Sequence, residues 1–479
     1  MNTREIELAK LGLKAMPAGE RARIIKLVSN VKRCGDVFAL IPEAVDEYEA
    51  SYEDFIHKYG IELSEDDIDI CWMAKRSEER QKFITSPDGP AKIPESYYWY
   101  MNFVQGKLSD RQYLIDKGCE PADERLKVWR RRQIERCNGD LGGLNRSFIH
   151  TICTYEIAKG CSVGCSFCGL SAGRLSAIFR ATDENLKLFR DVLNVMKDRL
   201  GQAAGNGMLY FATEPLDNPD YEKFEEIHDE IFGQIPQITT AVATRNIERT
   251  RKLVEELYEK KGFVHRFTVL SLDMARKILE NFSAEELLRV ELLPQYNEAP
   301  GFAGYTKAGR ELEGDPKAKE TDAGTIVCVD GFCINFCDRT ITMFTPCRVS
   351  KANPKGIAEQ EAVSFTDGED FADKLDELIE KYAVNDIPDD RILEFYSYFE
   401  VRDDCLYSRH GGEKISYGKF PNYVKETISL IGLKSYNKIE LVKEVANRCN
   451  VAYENVFFVI NQLFKKGYIR EEVFHTDEG

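Results

Sequence analysis

Long apolar stretches are missing from this sequence of 479 residues, and none approaches the roughly 18 residues of a membrane-spanning helix. The opening segment, MNTREIELAKLGLKAMPAGE, carries charged residues throughout, so we expect no signal peptide. Repeats of fixed period and low-complexity tracts are also missing. These absences argue against membrane and exported proteins, and we predict a cytoplasmic protein with no membrane partner.

A disulfide framework is not expected, although the sequence contains 14 cysteines. Such frameworks belong to short exported chains, whereas this chain is long and has a normal globular composition. Most of the isolated cysteines are therefore expected to be small buried residues. Two groups stand apart, at 161–168 and 328–347, and both need a chemical explanation.

The formal net charge of −16 is unevenly distributed along the chain. Residues 413–470 contain ten Lys and Arg against five Glu and no Asp, a balance of +5. A basic module on an acidic body predicts an acidic partner for that module, with a solvated surface as the alternative.

Helical periodicity dominates the N-terminal part of the sequence, and the Pro- and Gly-rich segment 86–96 is a predicted linker. We predict an α/β chain in five parts. They are an N-terminal helical region (1–85), a helical lead-in (97–146), a core (147–360), a helical connection (361–394) and a C-terminal module (395–475).

From residue 147 the pattern changes to short apolar runs that alternate with amphipathic helices. The predicted strands begin with FIHTICTYEIA (148–158) and continue at 207–213, 238–244, 263–271 and 290–296. This alternation predicts parallel βα units with right-handed crossovers, as in a barrel or part of one. The chemistry of such folds lies at the C-terminal ends of the strands.

Cys161, Cys165 and Cys168 follow the first predicted strand, in the segment KGCSVGCSFCG. The spacing C-x3-C-x2-C can bring three thiolates onto one inorganic cluster. Zinc sites usually take four ligands in two pairs, and no matching pair lies at a familiar distance. Typical [4Fe–4S] clusters use four cysteines, so three ligands leave one iron open. Gly160 and Gly164 allow the backbone to turn tightly around such a cluster.

The motif resembles the signature of the radical S-adenosylmethionine (SAM) superfamily, in which an aromatic residue, here Phe167, precedes the last cysteine. The resemblance implies one [4Fe–4S] cluster on the three cysteines and SAM on its open iron. It also implies reductive cleavage of SAM to a 5′-deoxyadenosyl radical, and a partial (β/α)6 barrel. An electron donor such as a flavodoxin or a ferredoxin is then required.

Five segments narrow the resemblance further. They are WRRRQIERC (129–137), YEIAKGCSVGCSFCGLSAGRL (155–175), YFATEPLDNPDYEKF (210–224), VELLPQYNEAPG (290–301) and MFTPCRVSKANPKG (343–356). Together they are similar to segments of the peptide-epimerising radical SAM enzymes of ribosomal peptide maturation, the polytheonamide or proteusin type. The resemblance covers roughly 120–360 and implies conversion of L-residues to D-residues in a precursor peptide.

By the same resemblance, the segment ATEP occupies the position at which the superfamily often has GGE. Glu214, with the backbone near Ala212 and Thr213, is then expected to hold the amino group of SAM. The alternative is that Glu214 is an acid at the start of a helix.

Other polar residues lie on or next to the later predicted strands. Arg266 and Ser271 are candidates for contacts to the carboxylate and the ribose of SAM, with an internal salt bridge as the alternative for Arg266. Glu291 and Gln295 share one direction on a strand, so both are candidates to face the cofactor or the peptide.

Epimerisation removes one hydrogen from Cα and returns another to the opposite face, and a thiol is a natural donor because its S–H bond is weak. The candidates are Cys328, Cys333, Cys337 and Cys347. We predict Cys347, because it ends the strand-like run TITMFTP and a barrel presents its chemistry at strand ends. Cys333 and Cys337 are the alternatives. A different interpretation is that all four cysteines bind an auxiliary cluster.

The C-terminal module combines short strands with three helices, as a winged helix–turn–helix does. That fold can bind DNA through a helix in the major groove. A similar fold, the precursor recognition element, instead pairs a strand edge with a leader peptide. Because this module is attached to a radical enzyme, we predict leader binding and do not favour nucleic acid.

The sequence thus predicts a radical SAM peptide epimerase, an isomerase acting on a ribosomally made precursor. The nearest alternative is a radical SAM peptide cross-linker or other modifying enzyme with an auxiliary cluster. From a different class, the alternative is an iron–sulfur sensor with a DNA-binding winged helix. The βα series and the ATEP segment argue against a sensor, which needs no SAM pocket.

Overall fold

The computed structural model describes residues 13–68, 94–314, 324–410 and 414–471. Most of the predicted linker at 86–96 lies outside them. The fold is mixed α/β, as predicted. Within the described ranges, no helix combines the length and the apolar composition needed to cross a membrane.

The helices follow the predicted amphipathic segments closely. They are α1 (Ala18–Leu40), α2 (Ala44–Ala50), α3 (Tyr52–Tyr59), α4 (Glu95–Tyr113), α5 (Glu124–Leu141), α6 (Asp183–Leu200), α7 (Tyr221–Phe232), α8 (Ile247–Glu259), α9 (Leu272–Asn281), α10 (Arg310–Gly314), α11 (Gly368–Tyr382), α12 (Asn422–Gly432), α13 (Lys438–Cys449) and α14 (Tyr453–Lys465). Side-chain caps fix several starts, as at Thr182 and Asn246, whose oxygens accept a backbone N–H three residues on.

The strands are short and belong to several sheets. They are β1 (Thr151–Glu156), β2 (Ala158–Lys159), β3 (Ala177–Ile178), β4 (Thr239–Thr240), β5 (His265–Val269), β6 (Val290–Pro294), β7 (Val329–Asn335), β8 (Thr340–Pro346), β9 (Ile357–Glu359), β10 (Val363–Ser364), β11 (Phe399–Arg402), β12 (Cys405–Ser408) and β13 (Lys414–Ser416).

The chain forms two compact units, each assembled from separate parts of the sequence. The first unit comprises 1–113, 208–210 and 214–305, and the second comprises 114–207, 211–213 and 306–479. The five-part division of the chain stays a prediction.

The first unit contains one parallel sheet, in the order β4-β5-β6. A continuous apolar core joins α1 to the buried faces of β5, β6 and α9. The guanidinium of Arg33 in α1 is buried there and donates to three backbone carbonyl oxygens, those of Tyr59, Phe282 and Leu279. A buried cation is acceptable in such a core only because its donors are satisfied in this way.

The second unit contains a mixed sheet, in the order β1-β7-β8-β10, with β9 also paired to β8. Strand β7 is parallel to β1, whereas β8 returns antiparallel to β7 through a tight hairpin. The hairpin β7–β8 spans Val329–Pro346 and contains the predicted strand-like run TITMFTP. Because β8 runs antiparallel to β7 and β1, its last residues lie at the end of the sheet at which β1 begins.

The structure corrects the predicted length of two strands of the core. Residues 207–213 form bends rather than a strand, and the N–H of Ala212 donates to a side chain instead of a neighbouring strand. The strand predicted at 238–244 is limited to β4, because Glu214 accepts from the Thr240 hydroxyl and the Ala241 N–H. The partial (β/α)6 barrel therefore stays a prediction.

The C-terminal segment contains the predicted short strands, β11-β12-β13 in antiparallel order, and the three predicted helices α12 to α14. These elements enclose an apolar core of their own. They also pack directly on α5, where Phe399 lies so close to Gly139 that a side chain there would not fit. The winged-helix assignment stays a prediction.

Candidate functional site

The three cysteines lie on a closed loop at the C-terminal end of β1. The ribbon β2–β3 closes the loop, with Ala158 paired to Ile178 and Lys159 to Ala177. Inside the ribbon, the N–H of Cys161 donates to the Gly173 carbonyl oxygen at 2.9 Å. The loop therefore follows a parallel strand, the position at which βα folds place their chemistry.

The loop presents its thiols partly to solvent. Cys161, Cys165 and Cys168 are all half-buried. The backbone N–H of Val163 lies 3.4 Å from the Cys161 sulfur, and that of Ala172 lies 3.5 Å from the Cys168 sulfur. Backbone donors directed at sulfur are suited to thiolates that carry negative charge.

The donor set fits an iron–sulfur cluster. Burial, followed by the charges of Cys161 and Cys168, raises the pKa of the Cys165 thiol. Among the described residues, no three or more His, Cys, Asp and Glu side chains are grouped as ligands of a single metal ion. A four-iron cluster makes a different demand, because each cysteine ligand binds its own iron atom.

The last residue of β1, Glu156, organises a polar face on the sheet of the second unit. Glu156 is paired with Asn335 of β7. Two residues earlier on β1, Thr154 is paired with Cys333 of β7. Cys333 is in turn opposite Thr342 of β8. Since residues directly opposite each other point to the same side of a sheet, these side chains share one face.

The Glu156 carboxylate is buried and accepts several hydrogen bonds. One oxygen accepts from the backbone N–H of Ala212 at 2.8 Å, and the other from the Asn335 amide at 2.8 Å. Cys333 lies on the same sheet face as this carboxylate, two residues before Asn335 on β7. Burial raises the pKa of Glu156, and the donors offset that rise in part.

Two of the candidate hydrogen donors lie on or next to this face. Cys333 is partly accessible, and burial together with the charge of Glu156 raises the pKa of its thiol well above the usual range. Cys337, in the turn after β7, is also partly accessible, and burial and the charge of Asp338 raise its pKa to about 11. Both thiols therefore retain their proton near neutral pH.

The strand-end argument for Cys347 is wrong. Strand β8 runs antiparallel to β7 and hence to β1, so its C-terminal end lies at the edge where β1 begins, not where the cysteine loop follows. Cys347 is also completely buried, next to Arg136 and Asp140 of α5, and burial raises the pKa of its thiol. The pattern of alternating apolar residues gave no information about strand direction.

A buried polar network surrounds Cys347 and accounts for part of the segment WRRRQIERC. Arg136 donates to Asp140 at 3.0 Å and to the hydroxyl of Thr345 at 3.1 Å. Asp140 also accepts from the backbone N–H of Arg348 at 3.1 Å. Through these contacts, the segment attaches α5 to the end of β8.

Two cysteines of the second group, Cys333 and Cys347, lie on different sides of the sheet. Thr345 and Cys347 lie three and five residues after Thr342, so alternation along the strand places them on the face opposite to that of Thr342. Arg136 of α5 contacts Thr345 on that opposite face. Cys333 and Cys347 therefore belong to opposite faces of the sheet. This arrangement argues against a single auxiliary cluster on all four thiols.

Glu214 lies in the first unit and is almost fully buried. Its carboxylate accepts from the Thr240 hydroxyl at 2.7 Å, the Ala241 N–H at 2.8 Å and the Leu216 N–H at 3.1 Å. The last contact caps the short 3-10 turn at Pro215–Asp217. The structure therefore gives Glu214 the alternative role, an acid at a helix start.

The other predicted contacts of SAM in the first unit also have partners within the chain. Arg266 donates to Glu291 at 3.0 Å across β5 and β6, as the salt-bridge alternative predicted. Burial alone would raise the pKa of Glu291, but Arg266 and Lys107 lower it. Ser271 caps α9 through the Met274 N–H.

The predicted site residues are thus divided between the units. The second unit holds the three loop cysteines with Phe167, the segment Ala212–Thr213 and the candidate donor cysteines. Glu214, Arg266, Ser271 and Glu291 belong to the first unit. Sequence reasoning missed Glu156 and Asn335. A signal was available for Glu156, since it is the one acidic residue of the apolar run FIHTICTYEIA.

No family model matches the chain. A curated relative, the uncharacterized protein y4wI of Sinorhizobium fredii (strain NBRC 101917 / NGR234), is 30% identical over 466 residues, which cover 94% of this chain and 88% of the relative. The chain belongs to the family of y4wI. That relationship spans both units and brings no activity with it, because the relative is itself described only as uncharacterized.

One solved structure also aligns with part of the chain. It is that of BtrN in complex with AdoMet and 2-DOIA, at a TM-score of 0.30 and 12% identity, covering 40% of this chain and 72% of BtrN. A likeness of this size carries no argument about the fold or the chemistry of this chain.

Proposed function

We propose that the chain is a radical SAM enzyme that converts L-residues to D-residues in a ribosomally made precursor peptide. The observation that carries the proposal is the closed loop after β1, on which three half-buried thiols are spaced C-x3-C-x2-C. Cys161, Cys165 and Cys168 would hold one [4Fe–4S] cluster with SAM on its open iron. When bound, this pair supplies a carbon-centred radical that removes the Cα hydrogen of a peptide residue.

A thiol of the chain then returns a hydrogen atom. The S–H bond breaks, a Cα–H bond forms on the opposite face of the residue, and the sulfur keeps one unpaired electron. One electron from a flavodoxin- or ferredoxin-type donor and one proton restore the thiol. Among the candidate thiols, Cys333 fits this role best, because it is partly accessible and shares a sheet face with Glu156, the last residue of β1.

The test is turnover in heavy water with the reconstituted full-length enzyme, SAM, a reductant and the precursor peptide. Each epimerised residue gains one mass unit, because an exchangeable thiol delivers deuterium to Cα. Loss of two hydrogens would instead identify a cross-linker, and a chain that never cleaves SAM would favour a sensor. Roughly four irons per chain fits a single cluster, and roughly eight would contradict it.

The donor is identified by single substitutions compared under the same conditions. In C333A we expect 5′-deoxyadenosine to form while deuterium incorporation falls at least about a hundredfold, since only the hydrogen-return step is lost. C337A and C347A are the matched variants. If C347A rather than C333A abolishes incorporation, the assignment of Cys333 is wrong and the original expectation for Cys347 is restored.

The C-terminal module is the proposed binding site for the leader of the precursor. Strand β13 is a sheet edge, and the exposed side chains of Lys414 and Lys419 lie on and just after it. Charge reversal in K414E/K419E should weaken precursor binding by about tenfold in fluorescence anisotropy, with SAM cleavage unchanged. Unchanged binding would contradict leader recognition at this edge.

A further inference from the structure

Glu156 is a buried carboxylate at the end of β1, and both of its oxygens have partners from other segments of the chain. Its two oxygens accept from the Ala212 N–H and from the Asn335 amide, and the Cys333 side chain lies on the same face of the sheet, two residues before Asn335. Ala212 belongs to the segment 211–213, whereas Asn335 and Cys333 both belong to β7, and all three lie in the second unit. The carboxylate therefore ties the segment that begins ATEP to the strand that carries the thiol.

Further contacts hold the backbone around Glu156 and the Ala212 segment in place. The backbone N–H of Phe336 donates to the Glu156 carbonyl oxygen at 3.0 Å, so β1 and β7 are still paired at this residue. The ring of Phe211, next to Ala212, packs against that of Phe344 of β8 in a tilted arrangement, with ring centroids 5.1 Å apart. Displacement of any one partner would require the others to move, because Glu156 is almost fully buried.

We infer that Glu156 is a positioning residue, which holds the Cys333 thiol at a fixed separation from the Ala212–Thr213 segment for hydrogen return. This inference rests on the proposed function. It adds a residue for which neither the motif nor the family resemblance assigns a task. It also predicts a chemical property of Cys333 that can be measured without any substrate.

The measurable property is the reactivity of the thiol. The thiolate is the form that reacts with alkylating reagents, and a carboxylate beside a thiol disfavours it. In E156Q the negative charge is removed while the side-chain size is kept. Peptide-resolved mass spectrometry of the full chain after brief iodoacetamide treatment at pH 8 then follows Cys333 alone. We expect its alkylation rate to rise about five- to tenfold in E156Q.

Two controls separate the contact from general effects. Glu359 is an exposed acid whose charge also raises the pKa of Cys333, but by less than the charge of the buried Glu156 does. E359Q should change the rate by less than about twofold. Cys449 on α13 serves as the internal reference for opening of the chain, and its rate should not change in either variant.

The outcomes decide the inference. An unchanged Cys333 rate in E156Q, with Cys449 also unchanged, overturns it. If both cysteines react faster, E156Q has opened the fold and E156D decides instead. E156D keeps the negative charge, but its shorter side chain moves the carboxylate away from Cys333. A folded E156D should therefore shift the pH profile of Cys333 alkylation. The shift should be smaller than in a folded E156Q. An unshifted profile overturns the inference.

A second experiment measures catalysis by the holoenzyme with the precursor. In E156Q we expect kcat for deuterium incorporation to fall at least about tenfold, while KM for the precursor stays within about twofold. Cleavage of SAM should continue without product. A wild-type enzyme that incorporates no deuterium would contradict the proposed function, yet the thiol reactivity of Cys333 would still report on its contact with Glu156.

Discussion

Gly160 precedes the first loop cysteine, and its backbone φ is +80°, in the left-handed region that favours glycine. A Cβ atom at this position would collide with the carbonyl oxygen of Arg174, which lies in the returning arm of the loop. Both effects follow from the close approach of the two arms at the ribbon β2–β3. The conformation of the cysteine loop therefore depends on the absence of a side chain at residue 160.

We predict that G160A loses most of its cluster. Either the loop moves apart at the ribbon or φ changes sign, and both displace Cys161 relative to Cys165 and Cys168. Iron per chain after anaerobic reconstitution should fall from roughly four to below about one. G173A is the matched control, because a Cβ on Gly173 would meet no atom within 4 Å. Full iron loading of G160A would contradict the proposed arrangement.

The roles of single residues could be predicted only where spacing along the chain carries the information. The three loop cysteines are such a case, because their ligand geometry depends on eight consecutive positions. Glu214 is the opposite case, since its partners Thr240 and Ala241 lie 26 and 27 residues away. Arg266 and Glu291 meet only because β5 and β6 are adjacent and in register. Pairings of this kind depend on tertiary structure.

The same limit applies to whole elements. Helices are local, and their predicted segments are confirmed in α6 to α9, where a 3.6-residue period extends over several turns. Short apolar runs such as 207–213 are ambiguous, because a strand needs a partner with free backbone groups. Strand direction is equally invisible in a sequence, and the antiparallel return of β8 is the reason that the strand-end argument for Cys347 fails.

The C-terminal module is attached to α5 by charged groups inside the second unit. Arg132 of α5 and Glu471 form an ion pair at 2.6 Å, and both side chains are almost fully buried. The Arg132 guanidinium also lies 4.2 Å from the ring centre of Phe464 on α14. Removal of the module would leave this buried cation without its carboxylate partner, so the function of the module is better tested by surface substitutions than by truncation.

We predict that E471Q lowers the free energy of unfolding by about 3 kcal/mol, because it leaves the charge of Arg132 buried and uncompensated. Urea unfolding followed by circular dichroism measures the change. The matched control is K466Q, which breaks the exposed pair between Lys466 and Glu135 across the same two elements. That pair should contribute less than about 1 kcal/mol. Equal effects of the two variants would show that burial of the ion pair is unimportant.

At the scale of the whole molecule, buried histidines set a limit on acid stability. The sequence contains six histidines, and two of them, His228 and His265, are fully buried in the first unit. Burial lowers the pKa of each to about 4. His228 is held by a 2.9 Å contact between its Nδ1 and the Gln234 carbonyl oxygen, and the N–H of Ile238 donates to His265.

The sign of the pH dependence follows from these values. Between pH 6.5 and 4 the unfolded chain binds protons at both histidines while the folded chain does not, so their contribution to stability falls as the pH falls. A shift from about 6.5 to about 4 corresponds to about 3 kcal/mol for each histidine. H228Q removes one titrating group, and the slope of unfolding free energy against pH should become less steep than in the wild type. H57Q is the control, because His57 is exposed and its removal should leave the slope unchanged. A wild-type slope in H228Q, measured by urea unfolding between pH 4.5 and 7.5, would contradict a buried neutral imidazole at this position.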